Sequence, residues 1–262
     1  MVIDMKSVKV TLGEELQSIE LHTFSDWHIG DKHCKVDEIK RHIEYVEKTP
    51  NAYVICNGDL MNNATIASVS DSYAEKLAPM EQLSELCELL YPIKDKILML
   101  TQGNHESRTW RTDGIDLTAV VAQQLGIFDR YVREGGVLFL RFGKDEKRNH
   151  GRRMRYSIYA SHGSGGGKKE GGKLNALAEM AGIVDCDIYI MGHTHLPLVM
   201  KENFFRVDVC NDSVSEVEKL FVNSSAQLSY GGYGQTFGFK PSNTTTPIIY
   251  LDGRRRKFSA KL

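Results

Sequence analysis

Continuous apolar runs, not alternation, mark the first two-thirds of the chain: 19–25 (IELHTFS), Tyr53-Val54-Ile55-Cys56, Ile97-Leu98-Met99-Leu100, 137–142, 156–160 and 187–191. Such runs predict strands buried on both faces, as in a largely parallel sheet covered by helices. Between them the apolar spacing becomes helical. Val36, Ile39, Ile43 and Val46 predict a helix over 36–48, closed by Pro50. Leu83, Leu86, Leu89 and Leu90 form the core face of a longer one over 71–90, interrupted near Pro79, and further helices are expected over 113–125 and 173–181. Beyond Leu196 the pattern shortens to strands at 198–200, 204–207, 220–223 and 247–251 with turns between, which predicts a second, more antiparallel sheet.

The polar residues that follow the runs are of one kind. The first run delivers Asp26-Trp27-His28, the second Asn57-Gly58-Asp59, the third Gly103-Asn104-His105-Glu106, the fifth Ser161-His162-Gly163 and the sixth Gly192-His193-Thr194-His195. Open α/β sheets bind ligands at the carboxyl ends of their strands, so these residues are expected to converge. Residues i and i+2 of extended chain face the same way, which lets Asp26 and His28 grip one ion together. His193 and His195, with one residue between them after a glycine, are a strong metal signal.

Other segments carry less. The stretch 60–70 (LMNNATIASVS) is too polar for core and predicts a loop over the site, holding Asn62 and Asn63. The basic stretch 143–155 reads as a solvated hairpin tip. Residues 164–172 (SGGGKKEGG) lack the first glycine and the Ser or Thr of a P-loop and read as a flexible glycine loop. No role is assigned to 230–238 (YGGYGQTFG), and Arg254 to Lys257 read as a charged terminus.

With 262 residues, 41% of them hydrophobic, one domain over 1–262 is expected. A formal charge of -1 offers no general attraction to nucleic acid or anionic membrane, so any anion binding must be local. Five widely spaced cysteines without a C-x-x-C pair suggest buried thiols in a reducing compartment. No signal-peptide block and no apolar run of ~18 residues is present, so a cytoplasmic location is expected and membrane partners are not.

Taken in order, Asp26/His28, Asp59, Asn104/His105, His162 and His193/His195 resemble the five signature blocks of the calcineurin-like metallophosphoesterase superfamily, more specifically its phosphodiesterase and nuclease branch. The resemblance implies a four-layer αββα sandwich of two mixed sheets flanked by helices, with a dinuclear metal centre. It places one ion on Asp26, His28 and His195, the other on Asn104, His162 and His193, with Asp59 bridging. Two divalent ions are implied, manganese first, with iron or zinc as the other fits to an Asp, Asn and His donor set. A metal-bridging hydroxide would then attack phosphorus in line. His105 would stand outside both ligand sets and protonate the leaving alkoxide or neutralise phosphoryl charge.

The chain departs from the Ser/Thr phosphoprotein phosphatases of that superfamily where they carry Asp and then Arg, three and four residues after the bridging Asp. Asn62 and Asn63 stand there instead, whereas Glu106-Ser107-Arg108 echoes those phosphatases. Asn62 and Arg108 are candidate substrate contacts. The expected substrates are phosphodiesters of nucleotides or nucleic acid, DNA included. A phosphomonoesterase acting on a small molecule or phosphoprotein is the alternative, and a non-catalytic metal-binding scaffold the second. Amidohydrolases and metallo-β-lactamase-fold enzymes place their His-x-His early in the chain, so they are set aside. His22, His33, His42 and His150 read as surface or satisfied core residues, and Trp27 as packing beside the site.

Overall fold

The computed structural model describes residues 5–65, 68, 75–146, 152–165 and 167–262, and its strands form two mixed sheets of six. Strand β1 (Ser7–Thr11) precedes β2 (Ser18–Phe24), helix α1 (Val36–Lys48), β3 (Ala52–Asn57), α2 (Pro79–Leu90), β4 (Ile97–Thr101), α3 (Ser107–Asp113) and α4 (Leu117–Gln124). Then come β5 (Tyr131–Val132), β6 (Gly136–Phe142), β7 (Met154–Ala160), α5 (Glu170–Glu179) and β8 (Ile188–Met191). The last elements are β9 (Leu198–Asp208), β10 (Ser213–Asn223), α6 (Gly232–Thr236), β11 (Ile248–Asp252) and β12 (Phe258–Lys261).

One sheet runs β12-β11-β2-β3-β4-β5 and the other β1-β6-β7-β8-β10-β9. Three apolar seams divide the molecule into layers. Leu21, Ile55, Leu138, Ile158, Ile188 and Ile249 belong to the seam between the sheets. Val54, Cys56 and Leu100 turn the other way, onto Ile39 and Ile43 of α1, Leu83 and Leu86 of α2 and Val121 of α4. Tyr189 and Phe221 meet Leu177 of α5 on the far side. Each central strand is therefore buried on both faces, which is why its sequence reads as an unbroken apolar run. The expected four layers are present.

The boundaries of several elements differ from expectation. The helix expected over 71–90 begins at Pro79, because Pro sits readily at a first helical position where no N–H is required; residues 71–74 lie outside the described residues. Gly114, in the left-handed conformation, ends α3 at Asp113, and the Asp116 carboxylate caps α4 by accepting from Ala119 N–H at 3.0 Å, so the helix expected over 113–125 begins only at Leu117 and α3 precedes it. α5 starts earlier than expected, at Glu170.

The short strands at 198–200 and 204–207 are one strand, and its hairpin partner extends the run at 220–223 back to Ser213. Only Leu220 to Asn223 of β10 pair with β8, so the rest of the hairpin projects as a two-stranded ribbon. Its exposed residues include Phe205, Val207 and Val214. Arg254 to Lys257 are not a free terminus. They turn the β11–β12 hairpin, where Arg255 reaches Glu146 at 3.1 Å and Arg256 pairs with Asp187. Cys56 and Cys186 are buried as expected, whereas Cys210, in the ribbon's turn, is exposed. No described helix is long and apolar enough to cross a membrane.

Candidate metal centre

β2, β3 and β4 from one sheet, and β7 and β8 from the other, end at the same edge of the sandwich, and the turns that follow them meet there. Asp26, His28, Asp59 and His162 are buried, while Asn104, His105, His193 and His195 are partly exposed. The eight residues expected as ligands or catalyst are thus all brought together. Asp26, His28, Asp59, His193 and His195, with Asn63 beside them, have φ between 42° and 65°. Non-glycine residues in this left-handed region are uncommon and strained, and such strain concentrates at functional sites.

The turns approach one another without room for side chains. A Cβ on Gly58 would lie 2.6 Å from Gly103 Cα, and one on Gly103 would overlap the Asp59 carboxylate and amide. Asn57 ties three strand ends together: its amide donates to Ser161 O at 3.0 Å, and its side-chain oxygen accepts from Thr101 at 2.9 Å. Asn223 does the same for the last turn, donating to Thr194 Oγ1 at 2.8 Å and Leu196 O at 2.6 Å.

The polar atoms sort into clusters with ligand geometry. Asp26, His28 and His195 present three donor atoms close enough for one ion, and so do Asp59, His162 and His193; His28, Asp59 and His105 form a third such group between them. Asp26 Oδ1 lies 3.2 Å from His195 Nε2, and Asp59 Oδ2 lies 3.1 Å from His162 Nε2. Asn104 Oδ1 faces His193 Nδ1 at 2.7 Å and His162 Nε2 at 3.1 Å.

The ring nitrogens turned away from the centre have acceptors. His162 Nδ1 donates to Asn57 O at 2.8 Å, and His28 Nδ1 faces Asn62 Oδ1 at 3.3 Å. With the proton held there, Nε2 of each ring presents a lone pair inward. His28 Nε2 then faces His195 Nε2 at 3.3 Å, and His195 Nε2 also lies 3.2 Å from Asp26 Oδ1, so three donor atoms converge on one point that a cation would fill. This donor set fits divalent metal.

The charges agree. Burial alone would raise Asp26, but His195 and His162 beside it bring its carboxyl down to about 2, and Asp59 is likewise held well below the carboxylate range by its histidines. Burial lowers His28 and His193, which favours the neutral rings that ligate, and it lowers His105 as well. His162 is the exception: burial disfavours its charge, but the Asp59 carboxylate prevails and raises it to about 10.

Three contributors escaped the sequence reading. Glu106, 2% exposed, accepts backbone N–H groups from Asp59 at 3.0 Å, Met61 at 2.9 Å and Gly103 at 2.9 Å, and so clasps the second and third turns together. Ser25 donates to Asp26 Oδ2 at 2.5 Å. Glu75 reaches Asn62, whose side chain therefore lies between His28 and Glu75. Glu106 at least stood in a motif, as the acid after Asn-His; nothing in sequence distinguished Glu75.

Arg108 Nη1 donates to Asn62 O at 3.0 Å, and its Nη2 lies 3.0 Å from His105 Nε2. Asn63 donates to His105 O at 2.8 Å and to Thr109 Oγ1 at 2.9 Å. Trp27 is buried against Phe24, 4.9 Å between ring centroids, as expected. His22 and His42 form a pair away from the centre, His33 lies against Gly231, and His150 is outside the described residues.

The family model of calcineurin-like phosphoesterases matches residues 24–197, which take in every candidate ligand. Among solved structures, the chain is similar to vacuolar protein sorting 29 from Cryptosporidium parvum (17% identity, covering 93% of this chain and 96% of that one, TM-score 0.45). It is similar also to a predicted phosphoesterase from Streptococcus pneumoniae (14% identity, 94% and 90% covered, TM-score 0.39) and to nuclease MPE from Pseudomonas putida (14% identity, 92% and 87% covered, TM-score 0.37). These likenesses are distant and say nothing of substrate. No protein of curated function matches the chain in sequence.

Proposed function

This chain belongs to the calcineurin-like phosphoesterase family, metal-dependent hydrolases of phosphate esters, and on that premise we propose that it hydrolyses phosphodiesters of nucleotides or nucleic acid at a dinuclear centre. The observation that carries the metal reading is the convergence of the His28 and His195 Nε2 atoms beside Asp26, repeated by His162, His193 and Asn104 beside Asp59. Asp26, His28 and His195 would hold one ion, Asn104, His162 and His193 the other. Asp59 would bridge, since it shares one ligand group with His162 and His193 and another with His28. Manganese suits the mixed oxygen and nitrogen donors, with iron or zinc as the alternatives. When bound, the ions supply a water of lowered pKa and neutralise charge on the phosphoryl group.

The protein's own residues do the rest. His105 Nδ1 donates to Asn62 O at 2.7 Å, which fixes the ring, and Nε2, 3.8 Å from Asp59 Oδ2, faces the centre beside the Arg108 guanidinium. As the imidazolium, His105 would hand its Nε2 proton to the departing oxygen and be left as the neutral ring with its Nδ1 proton still on the Asn62 carbonyl, while Arg108 would meet the phosphate. The diester preference rests on charge. A monoester carries one more negative charge than a diester, and Asn63 supplies no cation at the position where phosphoprotein phosphatases carry arginine. We read residues 1–262 as one domain, because the seam between the sheets draws on residues from Val8 to Phe258. Five free cysteines suit a cytoplasmic setting.

Rates on bis(p-nitrophenyl) phosphate and p-nitrophenyl phosphate with manganese, followed by single-stranded and duplex DNA, test this reading. Faster diester turnover is expected. Monoester preference would overturn the substrate, and no turnover with manganese, iron or zinc would point to a scaffold.

A further inference from the structure

We infer that Glu75 is a positioning residue for one metal site only: through the Asn62 amide, its carboxylate fixes the ring of His28 as a ligand. The inference rests on the metal reading above. Glu75 Oε1 accepts from Asn62 Nδ2 at 2.5 Å, and Asn62 is 3% exposed. A carboxylate accepts only, so it dictates which end of a buried amide turns toward it. With Nδ2 committed to Glu75, Asn62 must present Oδ1 to His28 Nδ1, 3.3 Å away. That oxygen in turn holds the proton on Nδ1 and leaves Nε2 for metal. The orientation of Asn62 and the tautomer of His28 thus follow from one carboxylate.

The same carboxylate orients a second amide. Glu75 Oε2 accepts from Gln82 Nε2 at 2.6 Å, and Gln82 Oε1 accepts the Asn63 N–H at 2.8 Å. Gln82, wholly buried on α2, reaches this point only because the turn after His28 carries Gly30, φ 102°, where a Cβ would overlap the Gln82 amide. Lys76 N–H donates to Gly30 O at 2.8 Å and pins the segment holding Glu75 to that turn. The other site has a separate arrangement: His162 Nδ1 donates to the backbone carbonyl of Asn57, which Glu75 does not touch. The two sites therefore depend on Glu75 unequally.

The test is a calorimetric titration of the chelator-stripped full chain with manganese. Wild type should show two binding steps. Glu75→Ala should weaken one of them by about tenfold or more, as loss of a partner behind a ligating histidine commonly does, and leave the other unchanged. Asn62→Ala should weaken the same step, and the double variant should lose no more than either single one. Gln82→Ala, which removes the other arm of Glu75 together with the acceptor of Asn63 N–H but leaves the Glu75–Asn62 contact in place, should lower the melting temperature without weakening either step. Glu75→Gln keeps an acceptor for Asn62 and should restore the weakened step to within a few-fold of wild type, which also serves if the alanine variant folds poorly. Equal weakening of both steps, weakening of neither, or additive losses at Glu75 and Asn62 would overturn the inference. A wild-type chain that takes up no manganese would overturn the metal reading as well.

Discussion

Arg108 Nη2 sits 3.0 Å from Nε2 of His105, so the guanidinium addresses the one imidazole nitrogen that is not already bonded to the Asn62 carbonyl. Burial lowers the His105 pKa, Asp59 opposes it, and the guanidinium adds a smaller push downward. An arriving phosphate would compete for the guanidinium and free Nε2.

His105→Ala should keep both metals. On esters with a poor, high-pKa leaving group it should lose about 10²–10⁴-fold in rate, and on p-nitrophenyl esters far less, because a good leaving group needs little protonation. Elemental analysis and rates on the two ester types decide the matter. Loss of a metal, or equal loss on both esters, would rule out the proton-donor role.

Asp59→Ala should behave in the opposite way. With its carboxylate gone, His162 loses its partner at 3.1 Å and His105 N–H its acceptor at 2.8 Å, so metal content and both ester rates should fall together. A variant that retains two ions per chain would contradict the bridging assignment.

Gly103→Ala should be as damaging as losing a ligand, although it removes none. The added methyl would have to occupy the space of the Asp59 carboxylate and amide, whereas Gly167→Ala adds its methyl where nothing lies within 4 Å. Metal content and melting temperature should drop for the first and hold for the second.

Acid stability should carry the mark of a histidine pair outside the centre. His22 Nδ1 and His42 Nε2 are 2.8 Å apart on the face of β2 that meets α1, and burial lowers His22 to about 4 and His42 to about 3. In the unfolded chain both take a proton near 6.5, so below that pH the unfolded state binds more protons. Stability should be complete above about pH 6.5 and should fall as the pH drops toward 4, each ring steepening the loss by at most about 1.4 kcal/mol per pH unit. Urea unfolding between pH 7.5 and 4.5 should give a shallower fall for His42→Leu than for wild type; parallel curves would refute the assignment.

Much of this was legible before any coordinates, for a physical reason. A strand buried on both faces must be an apolar run, and the residues after it must turn, so the positions of Asp26, Asp59, Asn104, His162 and His193 followed from pattern alone. β1 was missed because it is a short edge strand of alternating SVKVT, whose exposed Lys9 dilutes the apolar signal. The β9–β10 ribbon was read short because its outer half faces water, where apolar patterning no longer reports pairing. Glu75 and Gln82 were invisible for a different reason: they act through hydrogen bonds to Asn62 and Asn63, and a hydrogen bond between distant segments leaves no periodicity.

The candidate ligands are scattered along the chain, so that His28 and His195, 167 residues apart, are adjacent in space. During synthesis from the N-terminus, Asp26 and His28 therefore wait unsatisfied while five further strands are made and β8 emerges to bring His193 and His195. An ion captured before then would have at most part of its shell. On the proposed metal reading, firm uptake would be a late event in the life of the nascent chain, and tightly held metal would report how much of a preparation has finished folding.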